Sequence, residues 1–351
     1  MALTRVLSSQ LPIQGKTLCV AHSLAGDNLA TSSSAFNGSL VQIWKPDFAS
    51  KSWALASQVQ VPTPATSLAW ANPESGLLLA ASTDNGQVFV LEAPRPVQAF
   101  LPGAPSMSTG IAEDEEQAAQ QKHEWRIQST LQAGSAPIRH LSFAPRQHGL
   151  LLCTAGDDGV VTVWEADRPL APDTWSPLAK FQVGRPVKQY HGNGASHALP
   201  GISLAWRPFS PSMPPMLVVG SGEEAHVWQY AMQLMTWKRC HTLKPSSPAA
   251  ITGVHWAPHL SRPQELVAVS HGSIVDVFGL QGESSTPGTE LLATLSHGAG
   301  VWKLEFNQWG TCLAVATEDA SVTVWRANLV GDWDVMCVVQ GSSEVGGDQT
   351  M

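Results

Sequence analysis

One pattern recurs six times along this chain and leaves few folds open to it. A short strand-like run ends in an aromatic residue. A run of small apolar residues follows, then a turn, then a run that usually ends in Trp. The last copy is the clearest: VWKLEF at 301–306, CLAVAT at 312–317, the turn acids Glu318 and Asp319, and VTVW at 322–325. A fourth run, usually opened by another Trp, completes each copy. Several strands per unit, repeated about every 40–50 residues, are the signature of a β-propeller. With strands named A to D, the units span about 17–60, 61–132, 133–183, 200–244, 249–296 and 297–340. The expectation is one all-β domain over residues 1–340, followed by a disordered tail at 341–351.

Packing explains the spacing. A four-stranded sheet that is apolar on both faces must be covered by the next sheet. Alternation such as Val322-Thr323-Val324-Trp325 sends neighbouring side chains to opposite faces. Fourteen Trp against two Tyr is an unusual ratio, and the Trp fall at repeating positions. Trp44, Trp164 and Trp228 end C strands, while Trp70, Trp206 and Trp256 end A strands, so these six mark the expected core. Burying each contributes roughly 1.5–3 kcal/mol. The turns between B and C, Asp84-Asn85-Gly86, Asp157-Asp158-Gly159 and Glu318-Asp319-Ala320, have the residues of tight turns.

Two insertions interrupt the repeat and are read as surface excursions. One, at 93–124, starts Pro-rich and continues as AEDEEQAAQQKHE, a candidate exposed helix whose Glu113–Glu116 acids suit solvent or a basic partner. The other, at 183–200, contains QYHGNGASH. A strand-like segment at 4–9, Arg5-Val6-Leu7-Ser8-Ser9 in its centre, precedes the first unit and is left over once every unit has four strands. One reading makes it part of a seventh blade completed by another polypeptide, which would cover open sheet edges. The other is a closed six-bladed ring with this strand lying on its surface.

Composition narrows the function. Hydrophobic residues make up 43% and charged residues 14%, which fits a buried core and not a disordered chain. A net charge of −8 with no Lys/Arg run argues against nucleic-acid binding. Five widely spaced Cys without a CxxC fit free thiols in a reducing compartment, with Cys19, Cys153 and Cys312 inside apolar strands. The N-terminus lacks a signal-peptide core, and no apolar run is long enough to span a bilayer. The expected location is nuclear or cytosolic, with membrane contact only through partners and no direct insertion.

No catalytic constellation assembles. His191 and His197 lack a Cys or acidic companion at ligand spacing. Asp157-Asp158 and Glu223-Glu224 sit at B–C turns, where solvated turn acids are the ordinary reading. GxSxG, P-loop and GxGxxG motifs are absent from the sequence. The chain is expected to be no enzyme and to use no metal or cofactor.

An Asp six residues before the strand-C Trp, as in Asp158 to Trp164 and Asp319 to Trp325, resembles the WD repeat. That resemblance implies a hydrogen-bonded tetrad of loop His, strand-B Ser or Thr, turn Asp and strand-C Trp. His297, Thr317, Asp319 and Trp325 form the one full set. Longer stretches, VWKLEFNQWGTCLAVATEDASVTVWRANLVGDWDVMCVVQG, FAPRQHGLLLCTAGDDGVVTVWEA and HWAPHLSRPQELVAVSHGSIVDVFGL, resemble the Seh-type nucleoporins, a family related to the Sec-type propeller of the COPII coat. The resemblance implies an open six-bladed WD-repeat propeller that receives its seventh blade in trans from an α-solenoid nucleoporin. It also implies further coat nucleoporins as partners, a place in the Y-shaped complex at the nuclear pore, support of nucleocytoplasmic protein and mRNA transport, and a second role in a TOR-regulating coat-like complex at the lysosome or vacuole. The alternatives are a peptide-reading WD adaptor of a ubiquitin ligase and a COPII-type vesicle-coat propeller.

Overall fold

Alternating small and branched apolar residues in short runs between turn residues form strands. The computed structural model describes residues 11–13, 16–50, 52–94, 124–169, 171–184, 201–258, 264–281, 288–328 and 331–341. The strand-like segment Arg5–Ser9, most of the 93–124 insertion, His191 and His197, and the tail beyond 341 lie outside these residues.

The described chain is all-β. Its six four-stranded sheets each take four strands in chain order. The first sheet holds β1 (Thr17–His22), β2 (Leu29–Ala35), β3 (Gly38–Asp47) and β4 (Ser52–Val61). The second holds β5 (Ala65–Trp70), β6 (Leu78–Thr83), β7 (Gln87–Glu92) and β8 (Arg126–Gln132). The third holds β9 (Ile138–Phe143), β10 (Leu151–Gly156), β11 (Val160–Ala166) and β12 (Trp175–Gln182). The fourth holds β13 (Ser203–Trp206), β14 (Met216–Ser221), β15 (Glu224–Ala231) and β16 (Thr236–Leu243). The fifth holds β17 (Ile251–Trp256), β18 (Gln264–His271), β19 (Ile274–Gln281) and β20 (Thr289–Ser296). The sixth holds β21 (Val301–Phe306), β22 (Cys312–Thr317), β23 (Ser321–Ala327) and β24 (Trp333–Gln340). Helix among the described residues is limited to two short 3-10 turns, Pro73–Ser75 and Arg146–His148. This is the blade architecture of a β-propeller.

The chain divides into two compact units, one of residues 1–154 with 163–178, the other of 155–162 with 179–351. Within the first, Ala21, Ala30, Val41 and Ile43 pack on Leu68, Leu79 and Leu91 of the second sheet. That sheet's other face, Ala80, Val88 and Val90, packs on Ile138, Leu141 and Leu152. Within the second unit, Val218 and Val227 pack on Val254, Val267 and Val269. Ala268, Val275 and Val277 on the far side of the fifth sheet pack on Leu304, Leu313 and Val315. Gly220 allows a close approach here, since a Cβ on it would lie 2.6 Å from Ile251 Cγ2. Polar pins register neighbouring sheets: the Ala65 and Val254 amides donate to Ser39 Oγ at 2.9 Å and Ser203 Oγ at 3.1 Å.

All five Cys are free thiols. Cys153 is buried, and burial pushes its thiol well above the ordinary range. Cys19 and Cys312, expected inside the core, are only half-buried.

The second unit also buries an ion pair. Arg207 follows β13, and Glu265 stands on β18. The guanidinium donates from Nε to both Glu265 oxygens, at 3.0 and 2.7 Å, and from Nη2 to Oε1. Trp256 Nε1 donates to Oε2 at 3.0 Å. Their side chains are 6% and 10% exposed, so each charge depends on the other for solvation. Glu265→Ala, which strands the guanidinium, is expected to cost about 3–5 kcal/mol in urea unfolding. The Arg207→Met/Glu265→Leu double variant is expected to recover most of that loss. An equal loss in both would show that shape, not charge pairing, sets the site.

Candidate functional site

The sixth sheet leaves one face incompletely covered. Strands β6, β10, β14 and β18, at the corresponding place in other sheets, are buried along nearly their whole length on both faces. In β22 burial alternates instead: Leu313, Val315 and Thr317 are buried, whereas Cys312, Ala314 and Ala316 are half-buried. The buried set faces the fifth sheet. Cross-strand pairing defines the other face in two rows, Lys303–Ala316–Val322–Val339 and Glu305–Ala314–Val324–Cys337. The middle of each row is apolar and small, and its inner end is charged. An apolar sheet face of this kind suits another sheet laid against it. In the other unit, Leu18 and Val20 on β1 are also exposed.

The six Trp singled out from sequence fall into three groups. Trp44 and Trp164 are buried, and their indole N–H groups donate to strand-B threonines, Thr31 Oγ1 at 2.9 Å and Thr154 Oγ1 at 3.2 Å. Trp70 donates to the Ala21 carbonyl at 3.0 Å, and Trp256 belongs to the buried ion pair above. Trp206 and Trp228 join an aromatic cluster. Trp206 meets Trp237 edge-on at 5.9 Å, and Phe181 lies 4.7 Å from Trp228 and 5.8 Å from Trp237.

His297, Thr317, Asp319 and Trp325 associate as two pairs. Trp325 Nε1 donates to His297 Nε2 at 3.0 Å, and Thr317 Oγ1 donates to Asp319 Oδ1 at 2.6 Å. Asp319 Oδ1 also accepts from the Ser321 amide and hydroxyl, at 3.1 and 2.8 Å, as in an Asx-turn. These bonds, from Thr317 first and then Ser321, hold the Asp319 carboxyl below its ordinary range. Burial lowers the His297 pKa, opposed by the Ser273 and Leu295 carbonyls and the Asp319 charge.

Sequence reading missed a second network, in the fifth sheet. His271 ends β18 and Asp276 lies on β19, both side chains fully buried, with Nε2 2.9 Å from Oδ2. Asp276 also accepts from the Ser246 amide at 2.6 Å, the Ser246 hydroxyl at 3.0 Å and Thr294 Oγ1 at 2.8 Å. Ser247 Oγ lies 3.2 Å from His271 Nδ1. Ser, His and Asp in line are the members of a hydrolytic triad. Here, however, the carboxylate faces Nε2, the imidazole is walled off from solvent, and the remaining donors pin the 244–250 loop to the sheet. The geometry is that of a loop anchor. Asp157-Asp158 and Glu223-Glu224 lie at B–C turns, where Asp158 Oδ1 accepts the Val160 amide at 3.0 Å. Among the described residues, no group of three His, Cys, Asp or Glu is arranged to hold a metal.

Burial alone would raise the Asp276 pKa, but donors from His271, Ser246 and Thr294 outweigh it and hold the carboxyl below its ordinary value. A pKa lower in the folded than in the unfolded chain gives stability that is full above the unfolded value, about 3.9, and is lost as pH falls through the folded one. Asp276→Asn is expected to cost about 2–3 kcal/mol at neutral pH. In acid melts the gap to the native protein is expected to close below about pH 4. A gap that stays constant to pH 2 would show that the Asp276 charge contributes nothing.

The WD40 model (WD domain, G-beta repeat) matches residues 125–165 and 289–326. Each match begins on the outer strand of one sheet, β8 or β20, and continues through the first three strands of the next. Similar proteins include a "Protein transport protein sec13" of Aspergillus clavatus, 24% identical over 76% of this chain and 81% of its own. "Nucleoporin SEH1-A" of Xenopus laevis is 25% identical over 78% and 71%, and "Protein SEH1" of Arabidopsis thaliana 22% identical over 93% and 96%. Among solved structures, a Lactobacillus plantarum protein aligns with TM-score 0.62 at 14% identity, over 92% of this chain and 84% of its own. A chain of a mitotic checkpoint complex aligns with TM-score 0.56 at 20% identity, over 88% and 76%. Both likenesses speak to the fold alone. WD40 repeats are thus matched at two places in a chain whose described residues form six propeller-type blades, and its relatives bear the names SEH1 and Sec13.

Proposed function

We propose that this chain is a non-enzymatic scaffold propeller of a nuclear pore coat complex, and that strands of an α-solenoid partner cover its sixth sheet. The observation that carries this reading is the half-buried apolar face of β22 and β23. The offset of the sequence repeat supports it as well. Each WD40 match opens with the outer strand of the preceding sheet. By that rule the sequence Arg5–Ser9, which precedes the first unit, reads as belonging to a blade whose other strands come from another chain. The words nucleoporin and protein transport in the relatives' names support a setting at the pore and a part in transport, while the nuclear envelope, coat nucleoporin neighbours and mRNA transport follow from the Seh-type resemblance. A further post in a TOR-regulating coat at the lysosome or vacuole follows from the Seh-type resemblance. A vesicle-coat role is the second reading, favoured by the relatives named Sec13. In it the same face receives a different solenoid.

Co-expression with a solenoid partner, with and without that partner's N-terminal strands, tests the reading. The strand-bearing form is expected to co-purify and the shortened form to be lost. Ala316→Asp with Val324→Asp is expected to weaken capture by more than about tenfold, since it sets charges in a desolvated contact, while the chain alone stays folded. Equal capture of both partner forms would overturn blade completion.

A further inference from the structure

The fourth sheet carries a surface that the scaffold reading does not use. Its last hairpin, between β15 and β16, turns through Met232, Gln233, Leu234 and Met235, closed by a Leu234 amide to Ala231 carbonyl bond of 3.0 Å. Met232 is 71%, Leu234 59% and Met235 74% exposed. Met235 has φ of +50°, a conformation that suits glycine or asparagine, yet a long apolar side chain occupies it. The Pro208–Pro215 loop opens at the same end of the sheet and adds Phe209, 39% exposed. Three large apolar side chains at the tip of a two-stranded hairpin form a convex point, a shape that enters a soft phase more readily than it accepts a ligand.

Charge decides what this point meets. The whole chain carries −8, yet residues 201–264 contain only two acids, Glu223 and Glu224. Both lie at the opposite end of the sheet, at the turn into β15. Lys238 and Arg239, exposed on β16, stand three and four residues beyond the tip, about 10–13 Å up the strand. A peripheral apolar element sinks about 5–10 Å into the headgroup boundary, which sets those cations at the phosphate layer. The matching ends of the first, second, third and sixth sheets each carry an acid: Asp27 and Asp47, Glu74, Asp167, and Asp332. We propose that the Met232–Met235 hairpin is a membrane-contact point, inserting shallowly into an anionic bilayer with Lys238 and Arg239 on the lipid phosphates. This departs from the expectation that membrane contact runs only through partners, and it stands independently of the scaffold reading.

Flotation of the purified full-length chain with vesicles tests it. Vesicles of phosphatidylcholine with about 30 mol % phosphatidylserine are expected to carry the chain, pure phosphatidylcholine vesicles at least about fivefold less. Raising salt from about 0.1 to 0.5 M is expected to release most of it. Leu234→Asp/Met235→Asp is expected to cut flotation about tenfold with an unchanged melting curve, and Gln233→Glu, which removes no apolar group, to cut it by a smaller factor. Lys238→Glu/Arg239→Glu is expected to abolish the preference for anionic vesicles. No flotation on anionic vesicles overturns the proposal, as does flotation indifferent to all three variants. Concentration-dependent self-association of the native chain, lost in the tip variant and without vesicle binding, overturns it too and assigns the tip to protein contacts.

Discussion

A four-stranded sheet that is apolar on both faces is stable only when both faces are covered, and the rest of this structure depends on that requirement. Each buried Val, Leu or Ile contributes roughly 1.5–3 kcal/mol, and these sheets bury them on two sides. The second sheet meets it fully, with the first on one face and the third on the other. The fifth does the same between the fourth and the sixth. The sixth meets it on one face only, and its other face keeps the small apolar residues of a packing surface without the burial.

Polar groups inside the blades then set the sheets' register and hold their loops. Ser39 and Ser203 each accept an amide from the next sheet, so neighbours are keyed by hydrogen bonds as well as by shape. Asp276 gathers four donors from a strand-B His, a strand-D Thr and a loop Ser. Its carboxylate thereby fixes the entry into the fifth sheet. Such groups add little attraction net of desolvation, but removing one partner leaves the others buried and unsatisfied.

Much of the blade pattern is legible in the sequence because strands are local: alternation, turn acids and strand-end Trp all lie within ten residues of one another. What escaped is what the tertiary fold brings together. Arg207 and Glu265 are 58 residues apart, and nothing in either segment announces the other. His271 and Asp276 are close in sequence, yet they read as a strand end and an odd acid in an apolar run. Only the β18–β19 register, with Val269 opposite Asp276, turns that acid inward. The pairwise split around Trp325 has a similar cause. In the first sheet Leu29 lies opposite Trp44, and two residues on, Thr31 Oγ1 accepts a hydrogen bond from the indole N–H. In the sixth sheet Leu313 lies opposite Trp325, and the residue two further on is Val315, so the indole turns to His297. Spacing alone does not reveal which neighbour a side chain reaches.

Coverage of the sixth sheet's open face by strands of another chain is the claim on which the functional reading rests. Site-specific photo-crosslinking in cells tests it most directly, with a crosslinking residue at Val324 and a control at Leu178, exposed on the outer strand of the third sheet. The expected result is a single dominant adduct from position 324 to one α-solenoid protein, through a peptide in its N-terminal strands, and no such adduct from position 178. Adducts from position 324 confined to this chain itself, or the same adducts from both positions, would contradict it.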